Sequence, residues 1–292
     1  MMSVIAPTQV VFTQQQWLLD STVLMISHSG DENYVVTQST PFHPVSHIWP
    51  DHPADQGMVI HAGKQYQVNN CVVGSIDLAT NSLFIAQDIP VKRDTDGWVF
   101  VVVHIITGTI DFDIGNTVTL SVDREYQQSL SRGHSAGHLS SLALNKVLHN
   151  DFWRKEPTRR DELGYYDFHS YAQEKSEVTP DLSTDTYRLG KTLRKRGLNS
   201  ADLLAELNLV AERINLQLSD WVALKTAVLM RREGDHLTDS RYWQCNLGSE
   251  GVIEIPCGGT HILSLSEYQS VTVSFKVNSE QEIVMYTKSV KA

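Results

Sequence analysis

QQSLSRGHSAGHLSSLALNKVL, residues 127–148, is the stretch on which the reading of this chain turns. Leu130, Leu139, Leu142, Ala143, Leu144, Val147 and Leu148 recur at helical spacing, which predicts an amphipathic helix. His134 and His138 lie one turn apart on it, so their Cβ atoms face the same side about 5–6 Å apart. That separation suits two ligands of one zinc ion, and equally two exposed or capping histidines. Ser135 rather than glutamate follows His134, so the HExxH pattern of metalloproteases is absent.

Moving outward, the chain changes character near Arg124. Before it, short β-rich runs alternate with turn signals: TQVVF near Thr8, YVVTQ from Tyr34, KQYQVNNCVVGSIDL from Lys64, WVFVVVHII from Trp98 and NTVTLSVD from Asn116. The breakers are Ser29-Gly30-Asp31, Pro50 to Pro53, Asp94 to Gly97 and Ile114-Gly115-Asn116. This spacing predicts an all-β domain over residues 1–123, a small barrel or sandwich, of which the barrel is the expectation taken forward. After Arg124 come the helix, a polar stretch over 151–198, and a second helix from Asn199-Ser200 through Leu203, Leu207, Val210 and Ile214. A third helix is expected over 219–232. Strands then return from Gly251, His261, Ser270 and Glu282. The second domain, 124–292, therefore reads as α+β, with helices on an antiparallel sheet.

The formal net charge of −10 argues against a polyanionic partner until the chain is divided. Residues 1–123 hold three bases against twelve acids, a net of −9, whereas 124–292 hold 21 bases and 22 acids. The second part can thus turn a basic face to nucleic acid while the first keeps the whole soluble. Arg188, Lys191, Arg194, Lys195 and Arg196 put five cations in nine positions and are the candidate RNA-binding residues. A solvated face is the blander account of such a run. Arg154, Lys155, Arg159 and Arg160, near Trp153, Tyr165 and Tyr166, offer stacking platforms for unpaired bases. No run approaches the eighteen apolar residues of a membrane span; the longest, Trp98–Ile106, reads as a buried strand. The opening MMSVIAPTQVVF lacks the pattern of a secretory leader, and three cysteines make no disulfide framework, so a reducing cytoplasm is expected.

A second motif lies far from the first. In IPCGGTHILSL, Cys257 and His261 are separated by Gly-Gly-Thr, which allows a tight turn and lets both donors swing to one point. With His134 and His138 they make a set of three imidazoles and a thiolate, suited to tetrahedral zinc, whether structural or catalytic.

The pair of motifs resembles that of the alanyl-tRNA synthetase editing domain and of the free-standing alanyl-tRNA editing (AlaX) family. Their helix motif is usually H-T-A-x-H-L-L and their second motif C-G-G-T-H. Here Ser135 stands for the threonine and Leu139-Ser140 for Leu-Leu, while the second motif is intact. DIGNTVTLSVDREYQQSLSRGH also resembles the family's approach to the helix, and the likeness covers residues 105–290. It implies zinc held by His134, His138, Cys257 and His261, and hydrolysis of serine or glycine wrongly esterified to alanine tRNA. It places Ser135 against the amino-acid side chain or the water. The N-terminal half resembles the family's preceding β-barrel domain, whose loop reads roughly T-x-F-x-P-x-G-G-Q-x-x-D-x-G. This chain has TPFHPVSHIWPDHPADQG from Thr40, without the Gly-Gly-Gln centre, which leaves substrate selectivity open.

Three other patterns compete. His43, His47 and His52 show ligand-like spacing, but Pro44, Pro50 and Pro53 forbid a regular helix there. Gly133-His134-Ser135-Ala136-Gly137 fits the G-x-S-x-G nucleophile elbow, yet the preceding EYQQSLSR is too polar for the buried strand an elbow requires. Gly190-Lys191-Thr192 has the end of a P-loop, but Asp185 occupies the position of its first glycine. The expected function is trans-editing deacylation of misacylated tRNA. The rivals are a zinc hydrolase of another small ester or amide, and a non-catalytic RNA-binding module with structural zinc.

Overall fold

The computed structural model describes residues 5–292; Met1–Val4, the start of the stretch read for a leader, lie outside the described residues. The chain divides into two compact units. One runs to Gln127 and includes Arg232–Arg241 and Gly258–Thr260; the other comprises Gln128–Arg231, Tyr242–Cys257 and His261–Ala292.

Among the described residues the first unit holds ten strands: β1 Gln9–Val10, β2 Leu18–Ser29, β3 Glu32–Thr37, β4 Ser39–Thr40, β5 Gly57–His61, β6 Lys64–Val68, β7 Asn70–Asp77, β8 Ser82–Ile85, β9 Trp98–Thr107 and β10 Thr117–Val122. β1 and β4 pair in parallel, and the other eight form one sheet in the order β6-β5-β10-β2-β3-β9-β7-β8. The expected barrel is not closed. β6 and β8 are the edges of the ladder, although β6 passes through the single residue Asn69 into β7, which lies next to the far edge strand β8. The wrap is made by chain continuity, not by a strand pair.

The long apolar run falls on β9, between β3 and β7. Val102 and Ile106 join one core cluster; Val99, Val101, Val103 and Ile105 join another on the opposite face. A strand covered on both faces needs no polar alternation. His104 within it is neutral: its Nδ1 donates to Val35 O at 3.1 Å, its Nε2 accepts from Thr40 at 2.8 Å, and burial lowers its pKa to about 4.

The second unit is built on α1, Arg124–Leu148, which begins in the first unit. There follow α2 Phe168–Ala172, β11 Gln173–Thr179, β12 Leu182–Arg188, α3 Lys191–Lys195, α4 Ser200–Ala205, α5 Leu207–Ala223, β13 Val228–Arg232, β14 Arg241–Asn246, β15 Val252–Pro256, β16 Tyr268–Ser279 and β17 Glu282–Lys291. The sheets are β11-β12-β17-β16 and β13-β14-β15. One core joins α1 (Leu139, Leu142, Leu144, Leu148), α5 (Val210, Ile214, Leu218) and the sheets (Tyr187, Trp243, Met285).

α1 lies close on β12 because its facing residues are small. A Cβ on Gly133 would meet Thr179 O at 2.8 Å and Leu182 N at 2.9 Å, and one on Gly137 would meet Ser183 Oγ at 2.9 Å. The two glycines of the G-x-S-x-G pattern thus serve helix-on-sheet packing. The third helix expected over 219–232 is not formed. α5 stops at Ala223, Lys225 takes φ +52°, and the chain leaves as β13. Nor does a strand start at His261: Ser264 caps a single helical turn, Leu265–Glu267.

Candidate metal centre

α1 supplies His134 and His138 from one side, and the segment after β15 supplies Cys257 and His261. Their ligand atoms all lie within 4.8 Å of one another. Cys257 Sγ is 3.4 Å from His134 Nε2 and 3.3 Å from His261 Nε2. A tetrahedral zinc with Zn–N near 2.0 Å and Zn–S near 2.3 Å has N···S edges of about 3.5 Å. The rings are gathered to match: His134 and His261 centroids are 4.3 Å apart, His134 and His138 4.9 Å, His138 and His261 5.2 Å.

The surroundings suit a cation held by neutral imidazoles. His138 Nε2 is sealed from solvent and has no hydrogen-bond partner. Desolvation, helped by nearby His169, lowers the His138 pKa to about 4, so the ring stays neutral and its lone pair available. Ser135, completely buried, places Oγ 3.0 Å from His261 Nδ1, and the Ile262 N–H donates to the same oxygen at 3.3 Å. A metal taken up by His261 Nε2, which faces Cys257, would leave Nδ1 to carry the hydrogen and donate to Ser135, fixing the tautomer and the ring's direction.

Trp243, fully buried on β14, lies 5.2 Å from the His138 ring and 6.2 Å from His261. Its Nε1 is buried without a hydrogen-bond partner. Sequence reading missed this residue; an aromatic in a short alternating strand carries no signal of what it will face. Ser135 sits in the middle of α1, not on a strand-to-helix turn, which removes the elbow geometry.

Among the described residues this is the single His/Cys/Asp/Glu group of metal-binding type. The loop histidines do not form a second. In the first unit His43 packs edge-on against His52 at 4.3 Å, His52 Nε2 meets Thr260 Oγ1 at 3.3 Å, and His47 faces Phe100. Asp55 beside them accepts from His43 N–H and Gln127 Nε2, and burial raises its pKa to about 7. The candidate RNA contacts Arg188, Lys191, Arg194, Lys195 and Arg196 are all exposed, on the end of β12, on α3 and, for Arg196, at the residue that caps α3. Arg188 is engaged by Glu174 at 3.1 Å.

The fold and site define an α+β unit with a His₃Cys cluster fit for a transition metal. Over 289 residues, 93% of this chain, the sequence is 22% identical to an alanine–tRNA ligase of Akkermansia muciniphila; over 215 residues, 70% of the chain, it is 22% identical to that of Methanococcus aeolicus. The chain is thus a distant relative of alanyl-tRNA synthetases, as the two motifs implied. It spans about a quarter of the length of these relatives, 24% and 20% respectively. No family model matches it. Among the described residues no helix is long and apolar enough to cross a membrane.

Proposed function

We propose that this chain is a zinc-dependent hydrolase, working in the cytoplasm, that removes serine or glycine from wrongly charged alanine tRNA in trans. The observation that carries the proposal is the convergence of His134, His138, Cys257 and His261 within 4.8 Å, on a chain related to alanine–tRNA ligases. In this reading 1–123 is a substrate-handling domain and 124–292 the domain that holds the metal and contacts the tRNA.

The four residues would hold the ion, and bound zinc would supply Lewis-acid polarisation of the ester or a water of lowered pKa. Ser135 keeps His261 turned toward Cys257. A direct contact of Ser135 with the substrate or water requires its hydroxyl to share the bonds it makes to His261 and Ile262. Trp243 walls the imidazoles with an apolar surface, which lowers the local dielectric and strengthens any charge interaction there.

Two observations favour other readings. Four protein donors are enough to close a tetrahedral site, as in a structural zinc of an RNA-binding module. The loop from Thr40 lacks the family's Gly-Gly-Gln, which favours a changed substrate such as a smaller ester or amide. The deciding experiment is deacylation of serine-, glycine- and alanine-charged alanine tRNA by zinc-loaded protein, with and without chelator. Chelator-sensitive release of serine or glycine, with the alanine ester spared, supports the proposal. No release from a protein that keeps its zinc overturns it.

A further inference from the structure

We infer that residues 152–160 and 190–199 form one composite surface for the phosphate backbone of a structured RNA; the inference rests on the tRNA reading above. In sequence these are two separate basic runs. Together they hold eight cations, Arg154, Lys155, Arg159, Arg160, Lys191, Arg194, Lys195 and Arg196, against the single acid Glu156.

The backbone joins them. Arg154 N–H donates to Gly197 O at 2.8 Å, Trp153 bridges Leu198, and Asn199 N–H donates to Phe152 O at 2.7 Å. Gly197 has φ +114°, and a Cβ there would stand 2.8 Å from both the nitrogen and the Cβ of Lys155. Glycine is what lets the two segments touch where Gly197 comes down on Lys155, one residue beyond Arg196. Tyr171 adds the second tie. Its hydroxyl accepts from Arg159 N–H at 2.9 Å, and its ring carries the Arg196 guanidinium at 4.3 Å. Arg160 is stacked likewise on Tyr166 at 4.1 Å. A stacked guanidinium loses rotamer freedom before it binds, yet keeps N–H groups for a phosphate; Arg160 gives one of its own to Gly164 O at 3.1 Å and retains the others.

All but one of these charges are also left without a carboxylate partner. Arg132, Arg188, Arg213, Arg231 and Arg232 of this chain each hold a carboxylate. Of the composite cluster only Arg159 does, with Asp167 at 2.7 Å. Among the described residues Arg154, Lys155, Arg160, Lys191, Arg194, Lys195 and Arg196 make no ion pair, in a chain with 34 acids to offer. The occupant is RNA rather than an anionic membrane because none of the large exposed hydrophobic residues falls between 152 and 199. A helix or loop lying on lipid buries apolar side chains.

The test is binding of uncharged labelled tRNA to the zinc-loaded full chain, by anisotropy over a salt series. Removing one phosphate-binding cation should flatten the slope of log K against log salt by about 0.9, so Arg154→Ala/Lys155→Ala should flatten it by about 1.8 and Arg194→Ala/Lys195→Ala/Arg196→Ala by about 2.7. Arg213→Ala, which removes a cation paired with Asp151, is the control and should leave the slope alone. Circular dichroism and zinc content check the fold; should the triple variant fail to fold, the single changes Lys155→Gln and Lys195→Gln carry the same comparison. A slope for the Arg154/Lys155 variant equal to that of Arg213→Ala overturns the composite surface, as does binding to phosphatidylserine vesicles with none to tRNA. Because the probe is uncharged, the two readings fail separately. Binding through this surface without deacylation removes the proposed reaction alone. Deacylation with an unaltered KM and salt slope in the Arg154/Lys155 variant removes the surface alone.

Discussion

Ser135→Ala separates two roles for one hydroxyl. In the structure Ser135 Oγ is fully buried, 3.0 Å from His261 Nδ1, and also accepts from Ile262 N–H at 3.3 Å. If its work is to orient a metal ligand, the variant loses zinc affinity before anything else. Outer partners of ligating histidines typically contribute 10- to 100-fold in metal affinity, or about 1.4–2.7 kcal/mol. Losing a buried acceptor costs fold stability on a similar scale, about 1–3 kcal/mol. The assay is competition for zinc against a chelator of known affinity, followed by deacylation at saturating zinc. The expected result is zinc bound at least tenfold more weakly, with activity largely restored by excess metal, and Ser135→Thr near wild type since it keeps the oxygen. Zinc affinity unchanged in Ser135→Ala, with altered rate or amino-acid choice, would refute the orienting role and move Ser135 to the substrate. An inactive variant from a protein that phenylmethylsulfonyl fluoride inhibits and chelators do not would refute the metal reading altogether.

The other predictions follow from single contacts. Freshly purified protein should carry about one zinc per chain, and Cys257→Ser with His261→Ala should lose it, since the pair removes the thiolate and an imidazole from a four-donor set; elemental analysis showing no transition metal in the wild type counts against the site. Gly133→Ala should cost about 1–3 kcal/mol, because its Cβ meets Thr179 O at 2.8 Å and Leu182 N at 2.9 Å and the helix must back off; an unchanged denaturation midpoint contradicts this packing. Asp55 has its pKa raised to about 7 by burial, against about 4 when unfolded, so the native state holds its proton more tightly and stability drains away as pH rises between those values. Asp55→Asn cannot ionise, and should lose less melting temperature than wild type between pH 5 and 8; equal losses in the two proteins falsify the buried carboxyl.

What could be read from the sequence was local. The helix of 127–148 declares itself because its apolar residues repeat along one segment, and the ligands because each pair sits within five residues. Closure of a barrel is a pairing between distant strands, and nothing in Lys64–Val68 says that its outer edge goes unpaired. β11 and β12 were hidden in a polar stretch for a different reason. The positions that β12 turns inward are Ser183, Asp185 and Tyr187, and the first two are small or polar where apolar residues are expected. Ser183 must be small because Gly137 of α1 comes down on it. The alternation was present, but in size and polarity it ran against the usual pattern.

The same closeness explains why one pentapeptide supported two chemistries. G-H-S-A-G can put a serine on a strained turn or, with the histidine that follows, two imidazoles on a helix, and the residues alone do not choose. The structure chooses through the glycines. An elbow needs them for turn geometry, whereas here both lie inside α1 and admit the carbonyl of Thr179, the backbone of Leu182 and the side chain of Ser183. Bringing α1 that near the sheet also brings Ser140 Oγ within 2.8 Å of Thr287 Oγ1, so the helix is held on this face along two turns. His134 and His138 then have their direction set by packing, before any metal binds. A helix free to roll would scatter the two imidazoles, and a four-donor set within 4.8 Å would have to be assembled by the ion itself. Here the sheet contact supplies half of that order, and the Ser135–His261 bond fixes the ring on the other arm.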